Sequence, residues 1–212
     1  MTEIDTKPTK YRQHRFWAIA LPLLLQTGLI FVVPLQSAIT ARMGTTVVLQ
    51  TRPVDPFDPF RGYYVTLRYD ISQRGVLSRL DNWDTLKTDL TSARKTDFLA
   101  PGRSFYVILE APENSQRRPV PTPWRPIAVS RQRPRNLPAN QLALKGLYRS
   151  DRALYGLERY YLSDAQRLDL EQQIRDAQAV QVSPRLRVEV RIGPFGRAVP
   201  IALWIEDQRL EF

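Results

Sequence analysis

The chain of 212 residues has no cysteine, and its single histidine, His14, stands in the N-terminal tail. These absences remove disulfides, thiolate nucleophiles and zinc–thiolate sites, and they take every imidazole triad, His metal cluster or imidazole acid–base pair out of the main body. Lysine is scarce as well: 5 lysines stand against 26 arginines, and Lys87, Lys95 and Lys145 are the only ones in the body. A Ser–Lys dyad is therefore the one nucleophilic mechanism the composition still permits. No internal repeat and no nucleotide-binding βαβ pattern is present. What remains is 43% hydrophobic and 25% charged, with a net charge of +10, which is the composition of a packed globular chain. The length allows one ordinary domain plus an appendage.

From Phe16 to Ala41, 26 residues carry no charged side chain. A bilayer-crossing helix needs about 20 mostly apolar residues, whereas the apolar core of a cleaved signal peptide runs to roughly 7 to 15. The strongly apolar part, Phe16 to Leu35, is too long for the second, and its apolar residues do not segregate to one face as in a soluble helix. The span is read as an uncleaved anchor between a cytoplasmic basic tail, residues 1–15, and an exported domain, residues 42–212. Lys7, Lys10, Arg12 and Arg15 precede it, while Arg42 and Arg52 alone follow closely, so the positive-inside rule keeps the N-terminus cytoplasmic. The expected setting is an inner or thylakoid membrane, with the domain periplasmic or lumenal. Gln26, Thr27 and Gly28 sit near mid-span, with Leu29, Ile30 and Val33 on the same face as Gln26. A polar amide at that depth is satisfied best by another helix, so Gln26 is a candidate contact to a multipass membrane partner.

The body reads as strands separated by proline and glycine: Thr45–Val54, Tyr63–Ile71, Ser104–Glu110, residues 124–133 and 141–149, Leu154–Leu162, Leu186–Ile192 and Ala198–Ile205. In the second strand Tyr63, Val65, Leu67, Tyr69 and Ile71 form the core face. In the third, both faces look buried. Trp83, Leu86 and Leu90 at helical spacing predict a short helix over Trp83–Ala93, with Asp81 or Asn82 as its N-cap. Ser163 with Gln166 forms a capping box that opens a second helix, whose stripe is Leu170, Ile174 and Ala177. A Gly193-Pro-Phe-Gly196 turn joins the last two strands. The predicted fold is α+β and mainly antiparallel β, a barrel or sandwich with two short helices behind one N-terminal transmembrane helix.

The segment Phe57-Asp-Pro-Phe-Arg-Gly62-Tyr-Tyr-Val-Thr-Leu67-Arg-Tyr69 resembles the GDYXXLXY protein family of bacteria. Gly62, Tyr64, Leu67 and Tyr69 match the signature, Asp58-Pro59-x-Arg61 is similar to its usual lead-in, and Tyr63 stands where the family has Asp. Tyr155-Gly-Leu-Glu-Arg-Tyr-Tyr161 and Gly196-Arg-Ala resemble later parts of the family, so the resemblance covers most of the exported body. It implies a small membrane-anchored protein, often encoded beside multipass membrane proteins, with no assigned catalytic residues. Read without the family, Gly62 permits a turn or close approach, and Tyr64, Leu67 and Tyr69 anchor a strand as fold determinants.

Candidate chemistry is sparse. Asp55 and Asp58 are suited to a hard cation, but in a proline-stiffened turn such carboxylates accept backbone N–H bonds, and no metal or cofactor is expected. Asp151 and Glu158 are the pair a glycosidase would need. Lys145, in a strand between Leu144 and Gly146, is the best-placed base for a Ser–Lys dyad. Pro112 to Pro138 holds seven prolines, six arginines (Arg117, Arg118, Arg125, Arg131, Arg133 and Arg135) and the single acid Glu113. Guanidinium pairs bidentately with phosphate or carboxylate, so these arginines are candidate contacts to anionic lipid headgroups, an acidic polymer or an acidic partner face. The exported topology makes nucleic acid an unexpected ligand. The reading that results is a noncatalytic accessory or interaction protein of a bacterial membrane complex. Its alternatives are an exported Ser–Lys hydrolase of signal-peptidase-like architecture and an anion-binding module that uses the arginine-rich segment.

Overall fold

The computed structural model describes residues 10–53, 64–91, 103–113, 120–149, 151–161, 186–205 and 207–211. The chain divides into two compact units, Met1–Ile39 and Thr40–Phe212.

Helix α1 runs over Lys10–Met43, 34 residues with Pro22 and Pro34 inside it. It extends beyond the uncharged span at both ends, since the basic residues before Phe16 are good helix formers. Trp17–Met43 is long and apolar enough to cross a membrane, and none of its most apolar window is buried within the molecule. In lipid every backbone polar group must be satisfied internally, which favours a helix that continues through its prolines.

Among the described residues the second unit has ten strands: β1 Thr45–Pro53, β2 Tyr64–Tyr69, β3 Arg103–Glu110, β4 Arg125–Ser130, β5 Gln141–Arg149, β6 Arg152–Leu154, β7 Arg159–Tyr161, β8 Leu186–Ile192, β9 Ala198–Ile205 and β10 Gln208–Glu211. They form a six-stranded sheet, β10-β9-β8-β1-β2-β7, and a four-stranded sheet, β4-β3-β5-β6. Every named strand pair is antiparallel. Period-2 alternation places Leu186, Val188, Val190 and Ile192 of β8 beside Val47 and Leu49 of β1, and these join Phe105, Val107, Leu109 and Leu144 of the other sheet in one core. The expectation of a mainly antiparallel, sandwich-like β fold holds.

Of the three prolines in the described strands, Pro53 ends β1 and the other two lie beside bulges. Pro200 is opposite Val190 where the β8–β9 register shifts, and Pro126 is opposite Leu109 where β3–β4 shifts. A bulge spares the ladder the N–H that proline lacks.

Helix α2, Arg74–Leu77, and helix α3, Trp83–Thr91, follow a 3₁₀ turn at Asp70–Ser72. Helix α3 matches the predicted spacing: Trp83 and Leu86 are buried, and the Asn82 carbonyl accepts the Leu86 N–H. Several boundaries differ from the sequence reading. The second strand ends at Tyr69, although Ile71 stays buried in the turn that follows. In β3 only Phe105, Val107 and Leu109 are fully buried, the other face being half-buried. The strand expected over 124–133 is six residues long. The strand expected over Leu154–Leu162 is two short ones in different sheets, because Gly156, at φ +76°, breaks extended geometry between β6 and β7. The helix at α2 and the strand β10 carried no clear signal in the sequence. The helix opened by Ser163 lies outside the described residues, as do Gly62 and Tyr63.

Candidate functional site

The motif strand β2 is tied to the Tyr155–Glu158 segment by a reciprocal pair of tyrosines. Tyr69, fully buried, donates its hydroxyl to the Leu157 carbonyl at 2.8 Å, and Tyr155 donates its own to the Ile71 carbonyl at 2.7 Å. The two rings meet edge to face with centroids 6.4 Å apart. The Leu67 N–H donates to the Glu158 carbonyl at 3.0 Å, and a Glu158 carboxylate oxygen accepts the Tyr155 N–H at 2.5 Å. Burial, and then the nearby Glu158 carboxylate, hold the Tyr155 hydroxyl well above its usual pKa. Leu67, Tyr69 and the Tyr155-Gly-Leu-Glu stretch are therefore joined by one set of hydrogen bonds. Tyr64 contributes to it through its backbone pairing with Tyr161.

Outside this clasp lies a cleft of about 820 Å³ whose lining includes Arg68, Arg74, Arg152 and Arg159 as well as Asp151 and Glu158. Alternation in β2 explains the first of these: Leu67 and Tyr69 point inward, so Arg68 between them is exposed. Asp151, at φ +64° in the turn between β5 and β6, accepts from Arg74 at 3.1 Å and from the Tyr148 hydroxyl at 2.9 Å. The Tyr148 hydrogen bond and then Arg74 hold the Asp151 carboxyl below its ordinary range. That direction is opposite to the raised pKa a glycosidase acid would carry. Both carboxylates already accept internal hydrogen bonds, and four guanidinium groups outnumber them. The cleft lining thus carries more guanidinium than carboxylate groups, with Arg74 paired to Asp151.

The described arginines of the arginine-rich segment differ in their partners. Arg125 pairs with Glu110 at 2.5 Å, and Arg131 donates to the Ser104 carbonyl at 2.6 Å. Arg133 and Arg135 are exposed between β4 and β5, while Arg117 and Arg118 lie outside the described residues. Asp55, Asp58 and Lys95 also lie outside them. Lys145 is half-buried in β5, opposite Tyr106 in β3, and its backbone N–H donates to the Gly196 carbonyl. Gln26 is exposed on α1, with Leu29, Ile30 and Val33 exposed beside it. Among the described residues no three carboxylate or imidazole groups gather as a metal site.

Sequence reasoning missed the cleft because its arginines come from four separate elements, β2, α2, β6 and β7, and only the tertiary topology brings them together. The excess of arginine over lysine throughout the body was the available signal.

Neither the curated proteins nor the solved structures hold a significant match to the chain. The family model for the GDYXXLXY protein matches residues 26–203, from the middle of α1 to the end of β9. The clasp residues Leu67, Tyr69 and Tyr155 fall within that span, and the chain belongs to the GDYXXLXY protein family.

Proposed function

We propose that the chain is a single-pass, noncatalytic accessory protein of a bacterial membrane complex, with its N-terminus cytoplasmic and its β domain exported to the periplasm or lumen. The observation that carries this reading is the apolar helix with Gln26, Thr27 and Gly28 near its middle, exposed among the described residues. In hydrocarbon a lone amide gains by hydrogen-bonding another helix, and the small residue beside it permits close approach. The basic flank before Phe16 supports the assigned orientation.

Position-specific photo-crosslinking in native membranes tests it. A crosslinker at residue 26 captures a multipass membrane protein, whereas one at Leu24, on the opposite face of the helix, does not. Equal capture from both positions, or none from either, removes the docking face.

A second reading has a specific observation in its favour. The cleft beside β2 gathers Arg68, Arg74, Arg152 and Arg159, which suits an acidic segment of the partner. Anion recognition then belongs to this cleft and not to the arginine-rich segment.

A further inference from the structure

The large hydrophobic side chains left exposed among the described residues of the Thr40–Phe212 unit are Met43, at 80%, and Phe195, at 67%. They belong to the same end of the six-stranded sheet. Only Gly44 separates Met43 from β1, whose Thr45 pairs with Ile192 at the end of β8, and the Gly193–Gly196 turn follows at once. Gly193 lies so close to Thr40 that a Cβ there would stand 2.7 Å from the threonine hydroxyl oxygen. The Arg191 guanidinium donates to the Ala41 carbonyl as well. The turn holding Phe195 is therefore beside the residues through which the chain enters the β domain.

This turn has a fixed shape. The Gly193 N–H donates to Arg197 at 2.8 Å, the Gly196 N–H donates to Gly193 at 2.9 Å, and the Gly196 carbonyl accepts from Lys145. Gly196 sits at φ +77°, where a side chain is strained. The backbone thus presents Phe195 outward in a defined position.

The length of the apolar helix sets the depth of that position. The 27 residues of Trp17–Met43 rise about 40 Å at 1.5 Å per residue, against roughly 30 Å of hydrocarbon and 40–45 Å with headgroups. Thr40–Met43 then falls at headgroup level, where aromatic side chains are favoured and cations meet anionic lipid. Arg42 and Arg197 are exposed there.

We propose that the Gly193–Gly196 turn seats Phe195 in the headgroup layer of the bilayer crossed by α1, giving the β domain a second lipid contact. This rests on the membrane-anchored reading above. Continuity with the anchor identifies lipid as the occupant in preference to a protein surface.

The natural absence of cysteine makes the test direct. Full-length Phe195→Cys, Gln208→Cys and Leu24→Cys variants are labelled with an environment-sensitive fluorophore. Each is reconstituted into vesicles of phosphatidylcholine and phosphatidylglycerol that carry spin-labelled lipid quenchers. Gln208 is exposed in β10 opposite Ile205, at the other end of β9 from the turn. Quenching at 195 by headgroup-level quenchers several-fold above that at 208, together with deep quenching at 24, is the expected result. Deep quenching at 24 with 195 as unquenched as 208 overturns the proposal and leaves the anchor intact. A probe at 195 that is shielded from water but not quenched by lipid also overturns it, in favour of a protein contact. An unquenched probe at 24 defeats the anchored reading itself, and the proposal with it.

Discussion

Tyr69 and Leu157 are joined by a buried 2.8 Å hydrogen bond from the tyrosine hydroxyl to the leucine carbonyl, across a sequence separation of 88 residues. The bond fastens the motif strand to the segment between β6 and β7. Removing the hydroxyl while keeping the ring takes a donor from a buried carbonyl, a change that costs about 1–3 kcal/mol. Tyr69→Phe is expected to lose that much by denaturant unfolding of the full chain in detergent. Tyr69→Ala, which also empties ring volume from the core, loses about 3–5 kcal/mol. A Tyr69→Phe variant as stable as the parent would show that the hydroxyl does not fasten the motif.

Gly193 and Thr40 form a second contact that a mutant cycle reads directly. Alanine at 193 puts its Cβ at 2.7 Å from the Thr40 hydroxyl oxygen and 3.2 Å from its methyl, with 3.4 Å to the threonine Cβ. Overpacking of this kind costs about 1–3 kcal/mol. Trimming Thr40 to alanine leaves only the ordinary 3.4 Å contact, so Gly193→Ala should be far less harmful in a Thr40→Ala background. Additive losses in the double variant would mean that the two residues do not touch.

These two contacts show what the sequence could disclose. Leu67, Tyr69 and Ile71 were legible as a buried face because alternation reports burial one residue at a time, and the same rule found β8 and β3. The apolar span was legible because its length alone exceeds what a soluble helix requires. The partner of Tyr69 was not legible, since nothing local marks Leu157 as its acceptor. Nor was the break at Gly156, because the surrounding Leu154, Leu157 and Tyr160 fit one strand as well as two. The cleft is a product of topology: Arg68 and Arg159 become neighbours only once β2 lies beside β7, Arg152 joins them from the other sheet, and alternation does not specify strand order.

Tyr148, which donates its hydroxyl to the cleft residue Asp151, carries a pH signature. Burial, followed by the hydrogen bond to Asp151 and its charge, pushes the hydroxyl up to about 12 from an ordinary 10.0. The folded state therefore holds its proton while the unfolded chain releases it, so this contribution to stability is complete below pH 10 and disappears as pH rises toward 12. Asp151 works in the opposite sense: its folded pKa lies below the ordinary 3.8, so its contribution is present above that pH and is lost in acid. Ultraviolet titration of Asp151→Asn should show one tyrosine titrating at a lower pH than in the parent, though still above the ordinary 10.0. The shift should be partial, since burial remains as its largest cause. An unchanged titration curve would detach Tyr148 from Asp151.

The arginines of the cleft give the sharpest separation between anion recognition there and in the arginine-rich segment. Arg68 and Arg152 are exposed in its lining, whereas Arg133 and Arg135 are exposed on the loop between β4 and β5. Hydrogen bonds to charged groups are worth about 1.5–3 kcal/mol each, so losing two reduces affinity by at least roughly tenfold. Calorimetry with a short polyglutamate peptide should show binding to the full chain that weakens as salt rises, because the contact is between charges exposed to solvent. Arg68→Gln/Arg152→Gln should abolish most of it, and Arg133→Gln/Arg135→Gln should leave it nearly intact. The reverse ranking would return anion recognition to the loop. Equal losses in both double variants would mean that the peptide responds to net charge alone, since each pair removes the same two positive charges and only position distinguishes them.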